Sequence, residues 1–198
     1  MQNKTEILTP NTYYHIYNRA NGNENIFASY ENYRFFLKKY QEYILPIADT
    51  FCYCLMPNHF HFLVRIKDEA EIRLALTGFE TLSGLASKRF SNLFNAYAQA
   101  FNKQEKRKGG LFIRPFKRKK ISNTQYLLKL VHYIHFNPVI AGLCKKPNDW
   151  NFSSYNALLS KSETSLKREE VINWFNDIEN FIYVHQQEPK LSGIENLF

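Results

Sequence analysis

His59-Phe60-His61-Phe62-Leu63-Val64-Arg65-Ile66 is the stretch on which the fold turns. Phe60, Phe62, Val64 and Ile66 alternate with His59, His61, Leu63 and Arg65, the period of a strand with an apolar face. The run before it, Ile47 to Met56, is also β-like, and Pro57-Asn58 between the two reads as a hairpin connection. Upstream, Tyr13 to Asn18 is an aromatic-rich strand, followed by a turn at Asn21-Gly22-Asn23. Glu31 to Leu45 then places Tyr33, Phe36, Leu37 and Tyr40 at helical spacing, and Pro46 punctuates it.

Downstream, Ala70 to Ala100 is helix-compatible, with Gly78 and Gly84 expected to divide or kink it. Leu111 to Ile121 is expected to hold a last strand or hairpin. A further helix starts at Ser122, where Gln125 three residues on suggests a capping box. Leu127, Leu130, Val131 and Ile134 give it one apolar face. Asn137-Pro138 should disturb this helix, and Gly142 should cap it. Val171, Ile172, Trp174, Phe175, Ile178, Phe181 and Ile182 predict one more amphipathic helix, with a loose tail after His185.

The order strand, helix, strand, strand, helix, strand predicts an α+β fold: the split βαβ, ferredoxin-like antiparallel sheet. Helices are expected on one face of that sheet, leaving the other open. Residues 12–157 are expected to form the main domain, and residues 158–198 a C-terminal helical appendage and tail.

Apolar residues at 44% and aromatics at 16% suffice for a packed core. No apolar run approaches the ~20 residues that span a bilayer. Met1 to Asn11 lacks the apolar stretch of a signal peptide, so a cytoplasmic location without membrane contact is expected. Cys52, Cys54 and Cys144 are an odd count, against a disulfide framework. Cys52-Tyr53-Cys54 has neither CxxC spacing nor a second pair, so small buried thiols are expected rather than metal ligands.

The net charge is +8, and its position says more than its size. Lys103 to Lys120 holds nine lysines and arginines against Glu105 alone, so the rest of the chain sums to about zero. A basic concentration of this kind is the footprint of a polyanion. Leu111, Phe112, Ile113 and Phe116 interleave with the charges and are expected to offer apolar or stacking surface beside them. A solvated charged loop is the plainer reading.

His59 and His61 share the strand face opposite Phe60 and Phe62, with Cα atoms about 6.5–7 Å apart. Two imidazoles there can converge on one metal ion, or be two surface histidines. On the helix after Ser122, Tyr126, Lys129, Tyr133 and Asn137 fall on one stripe away from the apolar face. Tyr133 and Asn137 are neighbours at i, i+4. A tyrosine hydroxyl is a nucleophile when a metal or base assists it, and an amide oxygen beside it can join a cation's shell. The alternative is an amphipathic tyrosine at a core boundary.

Tyr14-His15-Ile16-Tyr17-Asn18-Arg19, Leu55-Met56-Pro57-Asn58-His59-Phe60-His61-Phe62-Leu63 and Tyr133-Ile134-His135-Phe136-Asn137-Pro138 occur in this order. With Gly110-Leu111-Phe112, Arg114, Lys117 and Trp150-Asn151-Phe152-Ser153-Ser154-Tyr155, they resemble the single-tyrosine HUH transposase family. The branch resembled is the one associated with repetitive extragenic palindromes. The resemblance covers about residues 12–157. It implies that His59 and His61 are metal ligands, Tyr133 the nucleophile and Asn137 a third ligand; relatives often have glutamine at that last position. It implies a Mg²⁺ or Mn²⁺ ion, single-stranded or hairpin DNA as partner, and cleavage and rejoining through a 5′-phosphotyrosine with a free 3′-hydroxyl. No glycine-rich phosphate loop of the Walker type is present, in keeping with chemistry that needs no ATP. Arg19, Lys106, Arg107, Lys108, Arg114, Lys117, Arg118, Lys119, Lys120 and Lys129 are the residues expected to bind the nucleic acid. Two readings stay open beside this one: a non-catalytic nucleic-acid-binding protein derived from a transposase, and a metal-dependent nuclease that uses water. Monomer and homodimer are both compatible with the sequence.

Overall fold

The computed structural model describes residues 6–75, 84–190 and 192. Four strands form one antiparallel sheet in the order β2-β3-β1-β4. β1 is Tyr13–Arg19, β2 Ala48–Met56, β3 His59–Ile66 and β4 Lys117–Ile121. β3 lies between β1 and β2, antiparallel to both, so β1 and β2 run parallel without touching. That is the expected split βαβ arrangement, and the fold is mixed α+β.

β3 divides its side chains as its alternation requires. Phe60, Phe62, Val64 and Ile66 join Tyr14 and Ile16 in a first core, closed by helices α1 (Tyr30–Tyr43) and α3 (Leu85–Gln104). Phe36 and Tyr40 of α1, and Phe90, Leu93, Phe94 and Tyr97 of α3, fill it. The short α2 (Glu69–Ala75) precedes α3, whose N-terminus is set by Gly84 in the left-handed region at φ 79°. Gly78, the other expected breakpoint, lies outside the described residues.

The expectation of helices on one face only is corrected by the second core. Leu63, Cys54, Met56 and Ile121 face α4 (Thr124–Ile140), which contributes Leu127, Leu130, Val131 and Ile134. The reason lies in β2. A bulge between Thr50 and Cys52 turns both Phe51 and Cys52 toward this second core, and almost every residue of the strand is buried. A strand apolar on both faces needs cover on both. Residues beyond 157 enter the same core. After α5 (Tyr155–Leu159) come α6 (Arg168–Trp174) and α7 (Ile178–His185), which bring Val171, Phe175 and Phe181 against α4 and β2. The single helix expected over 171–182 is broken into these two. Asn176 takes a left-handed φ of 73°, and Asp177 caps α7 by accepting from the Asn180 amide at 2.7 Å.

α4 also differs at its ends. Its N-cap is Asn123, not Ser122: the Asn123 side chain accepts from the Tyr126 amide at 2.7 Å. Pro138 does not end it. The missing Pro138 N–H costs one bond in the last turn, and the helix runs on to Ile140. It then closes with Gly142 at φ 69°, donating to Val139, while Leu143 donates back to Pro138. Asn137 therefore keeps helical geometry one turn after Tyr133.

Cys52 and Cys54 are buried free thiols, and Cys144 is half-buried. Among the described residues no helix is long and apolar enough to cross a membrane.

Candidate active site

α4 lies across the face of β3 that carries His59 and His61, and the stripe Tyr126–Asn137 meets the histidines there. His59 Nε2 stands 3.4 Å from Asn137 Oδ1. The His61 and Tyr133 rings meet edge to face with centroids 5.5 Å apart. His61, Asn137 and His15 are buried; His59 and Tyr133 are half-buried. The histidine face is thus not open surface, because α4 roofs it.

Burial sets the protonation states. Desolvation pulls His59 down to about 4, against a small upward effect from Asn137, with Arg19 adding to the fall. It holds His61 well below the ordinary imidazole value, helped by its histidine neighbours. Both rings are neutral at pH 7, as metal ligation requires. Desolvation raises the Tyr133 phenol above its usual value, and the Asn137 amide opposes the rise. Asn137 Nδ2 is buried and has no hydrogen-bond partner among the described residues. Tyr133 is therefore a phenol, and it needs a cation or a base to act as a nucleophile.

The donor chemistry fits a cation. His59 Nδ1 lies 2.7 Å from Asn58 Oδ1 and donates to it, which leaves a lone pair on Nε2. That lone pair faces Asn137 Oδ1, itself an acceptor. An imidazole nitrogen and an amide oxygen 3.4 Å apart are both groups that can donate a lone pair to a cation. Among the described residues no group of three or more His, Cys, Asp and Glu could hold a metal; the set here is two imidazoles and an amide oxygen.

His15 was not singled out by sequence reasoning. Its Nε2 is 2.9 Å from His61 Nδ1, and its ring stacks on Tyr17 at 4.5 Å. Desolvation, with Lys119 adding to it, lowers His15 to about 3. The available signal was parity: Tyr13, His15 and Tyr17 alternate with Tyr14 and Ile16 along β1, so His15 must share the face of His61 once β1 pairs with β3.

The basic residues separate into groups. Lys117 and Lys119 pair in register with Tyr17 and His15 and so share the face of His59 and His61. Lys119 Nζ sits over the Tyr126 ring at 4.3 Å. Arg19 pairs with His59 at the end of β1 and is exposed. Lys120 is exposed on the other face. Arg118, on that same face, is half-buried over the Phe116 ring at 4.0 Å and donates to Ser87. Arg107 is engaged with Asn102 and Glu24, Arg114 with Asn95, and Lys129 with Ser192. Lys106 and Lys108 are exposed. The expected stacking surface is corrected: Leu111, Phe112 and Phe116 are buried in the first core, because the loop that carries the charges folds its apolar residues inward.

No protein-family model matches the chain, and no curated protein matches it. Among solved structures it is similar to a REP-associated tyrosine transposase bound to a REP hairpin, with a TM-score of 0.61 and 17% identity over 81% of this chain and 87% of that one.

Proposed function

We propose that this chain is a DNA strand transferase that cuts and rejoins single-stranded DNA through a covalent bond to Tyr133. The observation that carries this is the meeting of four side chains from two elements: His59 and His61 of β3 with Tyr133 and Asn137 of α4. The Tyr133 oxygen attacks the scissile phosphorus, and the bond from phosphorus to the 3′ oxygen breaks. The phenolic proton is matched by the proton that the 3′-hydroxyl gains, so the step is balanced and reversible. A 5′-phosphotyrosine stores the bond energy.

His59, His61 and Asn137 would hold a Mg²⁺ or Mn²⁺ ion, which when bound supplies Lewis-acid polarisation of the phosphate. Arg19, Lys117 and Lys119, around the same face, hold the backbone phosphates. The hairpin in the structural neighbour makes hairpin DNA with a single-stranded flank the first substrate to try.

The test is a denaturing gel. The wild-type chain with Mn²⁺ and a labelled oligonucleotide should yield a protein–DNA adduct that resists detergent. Cleavage without any adduct would instead mean that water is the nucleophile, and binding without cleavage would mean a non-catalytic DNA-binding protein.

A further inference from the structure

A second polar site lies on the opposite face of the sheet. Helix α3 has no charged residue between Arg89 and Lys103, although one face of it looks outward. An outward helix face ordinarily carries charges. Here it carries Ser91, Asn95, Gln99 and Asn102, spaced to lie along one stripe. The stripe forms one wall of a cavity of about 520 Å³, and the loop from Gly109 to Arg118 forms the other. That volume falls within the roughly 300–1,000 Å³ of sites that hold a small organic group. The lining carries Arg114 and Arg118 and no carboxylate.

We propose that this groove is a base-reading site that takes one unpaired nucleotide of the DNA substrate. A side-chain amide presents a donor and an acceptor side by side, the pattern that pairs with an adenine edge, and arginine offers the fork that suits guanine or a phosphate. Asn102 is held by Arg107 and Gly109 and the Asn95 oxygen accepts from Arg114, so Gln99 is the amide with both groups open and Asn95 offers its Nδ2. Charge would hinder the entry of a neutral base, and α3 lacks it. Arg114 is exposed and Arg118 half-buried, and both are within the lining that the backbone of the strand would meet. Arg118, stacked on Phe116, has a buried Nε with no hydrogen-bond partner among the described residues, a donor still to be satisfied. Gln99 makes no hydrogen bond among the described residues and is exposed.

The groove adjoins the active site through the end of β1. Ile113 donates to the Arg19 carbonyl at 3.1 Å, and Asn18 Nδ2 donates to the Ile113 carbonyl at 3.0 Å. Arg19 is the register partner of His59. A strand whose phosphate lies at His59 and Tyr133 can therefore pass over Arg19 and place a neighbouring base in the groove. The site would choose which phosphate is cut, and this inference rests on the strand-transferase reading.

The experiment uses the full chain and a hairpin oligonucleotide with a randomised single-stranded flank, selected by binding and sequenced. Wild type should favour one base at one flank position. Asn95→Ala with Gln99→Ala should reduce that preference by roughly 5- to 150-fold, the discrimination of one bidentate pairing. Asn92→Ala, on the same helix but outside the lining, should keep it. Asn95 and Gln99 are exposed and Asn92 is half-buried; alanine is the best helix former, and circular dichroism checks the fold. As a second measurement, 5-iododeoxyuridine in the wild-type flank should crosslink within residues 90–118. An unchanged preference in the double variant, no preference in wild type, or crosslinks confined to α4 would overturn the groove while leaving adduct formation standing. Absence of both binding and adduct would overturn the strand-transferase reading and the groove with it.

Discussion

His15 Nε2 lies 2.9 Å from His61 Nδ1, and both rings are fully buried between the sheet and α4. A neutral ring that shares its Nδ1 in this way has its tautomer and orientation set by its partner. His15 thus acts through His61, which in turn stands against Tyr133.

His15→Leu should lower Mn²⁺ affinity by about 10- to 100-fold, the usual cost of removing such a support. His15→Gln keeps a hydrogen-bonding group and should recover part of it. Isothermal calorimetry with Mn²⁺ measures this, and long-range nitrogen–proton spectra report the His61 tautomer. Equal affinity in all three proteins would reduce His15 to packing.

Tyr133→Phe keeps the ring against His61 and removes the hydroxyl. It should fold and bind DNA as wild type does, yet form no adduct and make no cut. Tyr126→Phe is the internal control. The Tyr126 hydroxyl is buried without a partner among the described residues, so its removal should cost no stability and leave cleavage intact. Cleavage by the first variant and not the second would name the wrong tyrosine.

His59→Ala should abolish cleavage with little loss of stability, because His59 is only half-buried; EDTA should have the same effect. His61→Ala should also abolish it, but it opens a cavity and strands His15, at a cost of about 1–3 kcal/mol in unfolding free energy. Asn137→Ala should weaken metal dependence less, since water can take its place. Imidazole donors should make Mn²⁺ bind more tightly than Mg²⁺. Full activity of His59→Ala in excess chelator would end the metal reading.

Replacing Lys117, Lys119 and Lys120 by glutamine should flatten the salt dependence of single-stranded DNA binding. The log–log slope should fall by about 0.7 for each phosphate that a lysine no longer neutralises. Arg118 is left out because it packs on Phe116. An unchanged slope in the triple variant would leave these lysines as solvated surface.

Acid should loosen the second core. Ser154 Oγ, His135 and His185 form a buried chain with separations of 2.8 and 2.9 Å, ending on the Phe181 carbonyl. Desolvation lowers His135 well below its ordinary value and His185 to about 3. Below about pH 6.5 the unfolded rings take up protons that the folded ones refuse. Stability should therefore be constant above that pH and fall between about 6.5 and 3. Denaturant midpoints from pH 7.5 to 5 measure the fall, and His185→Phe should make it shallower. A midpoint independent of pH would mean that these rings titrate as if exposed.

The alternation of His59 to Ile66 was enough to put both histidines on one face, and the helical stripe put Tyr133 beside Asn137. Both are local periodicities. Which helix covers which face is not local. The bulge at Thr50–Cys52 turns β2 into a strand apolar on both sides, and nothing in the sequence marks the extra residue. His15 was hidden for the same reason, since its partner lies 46 positions away in a register known only once β1 and β3 are paired. The break at Asn176 was missed because the apolar residues on either side of it keep a helical period.

The sheet has two outer edges. β2 is closed by the chain itself, through the bridge from Thr50 to Leu166 and the one from Cys54 to Ser153. β4 has no such cover among the described residues, and its defence is composition: four of its five residues are lysine or arginine. An edge strand of this kind repels its own copy, because docking two of them would press like charges together. The lysines proposed to draw in a polyanion would therefore also oppose self-assembly into extended sheets, and DNA bound along β4 would cancel that repulsion while occupying the space a second copy would need.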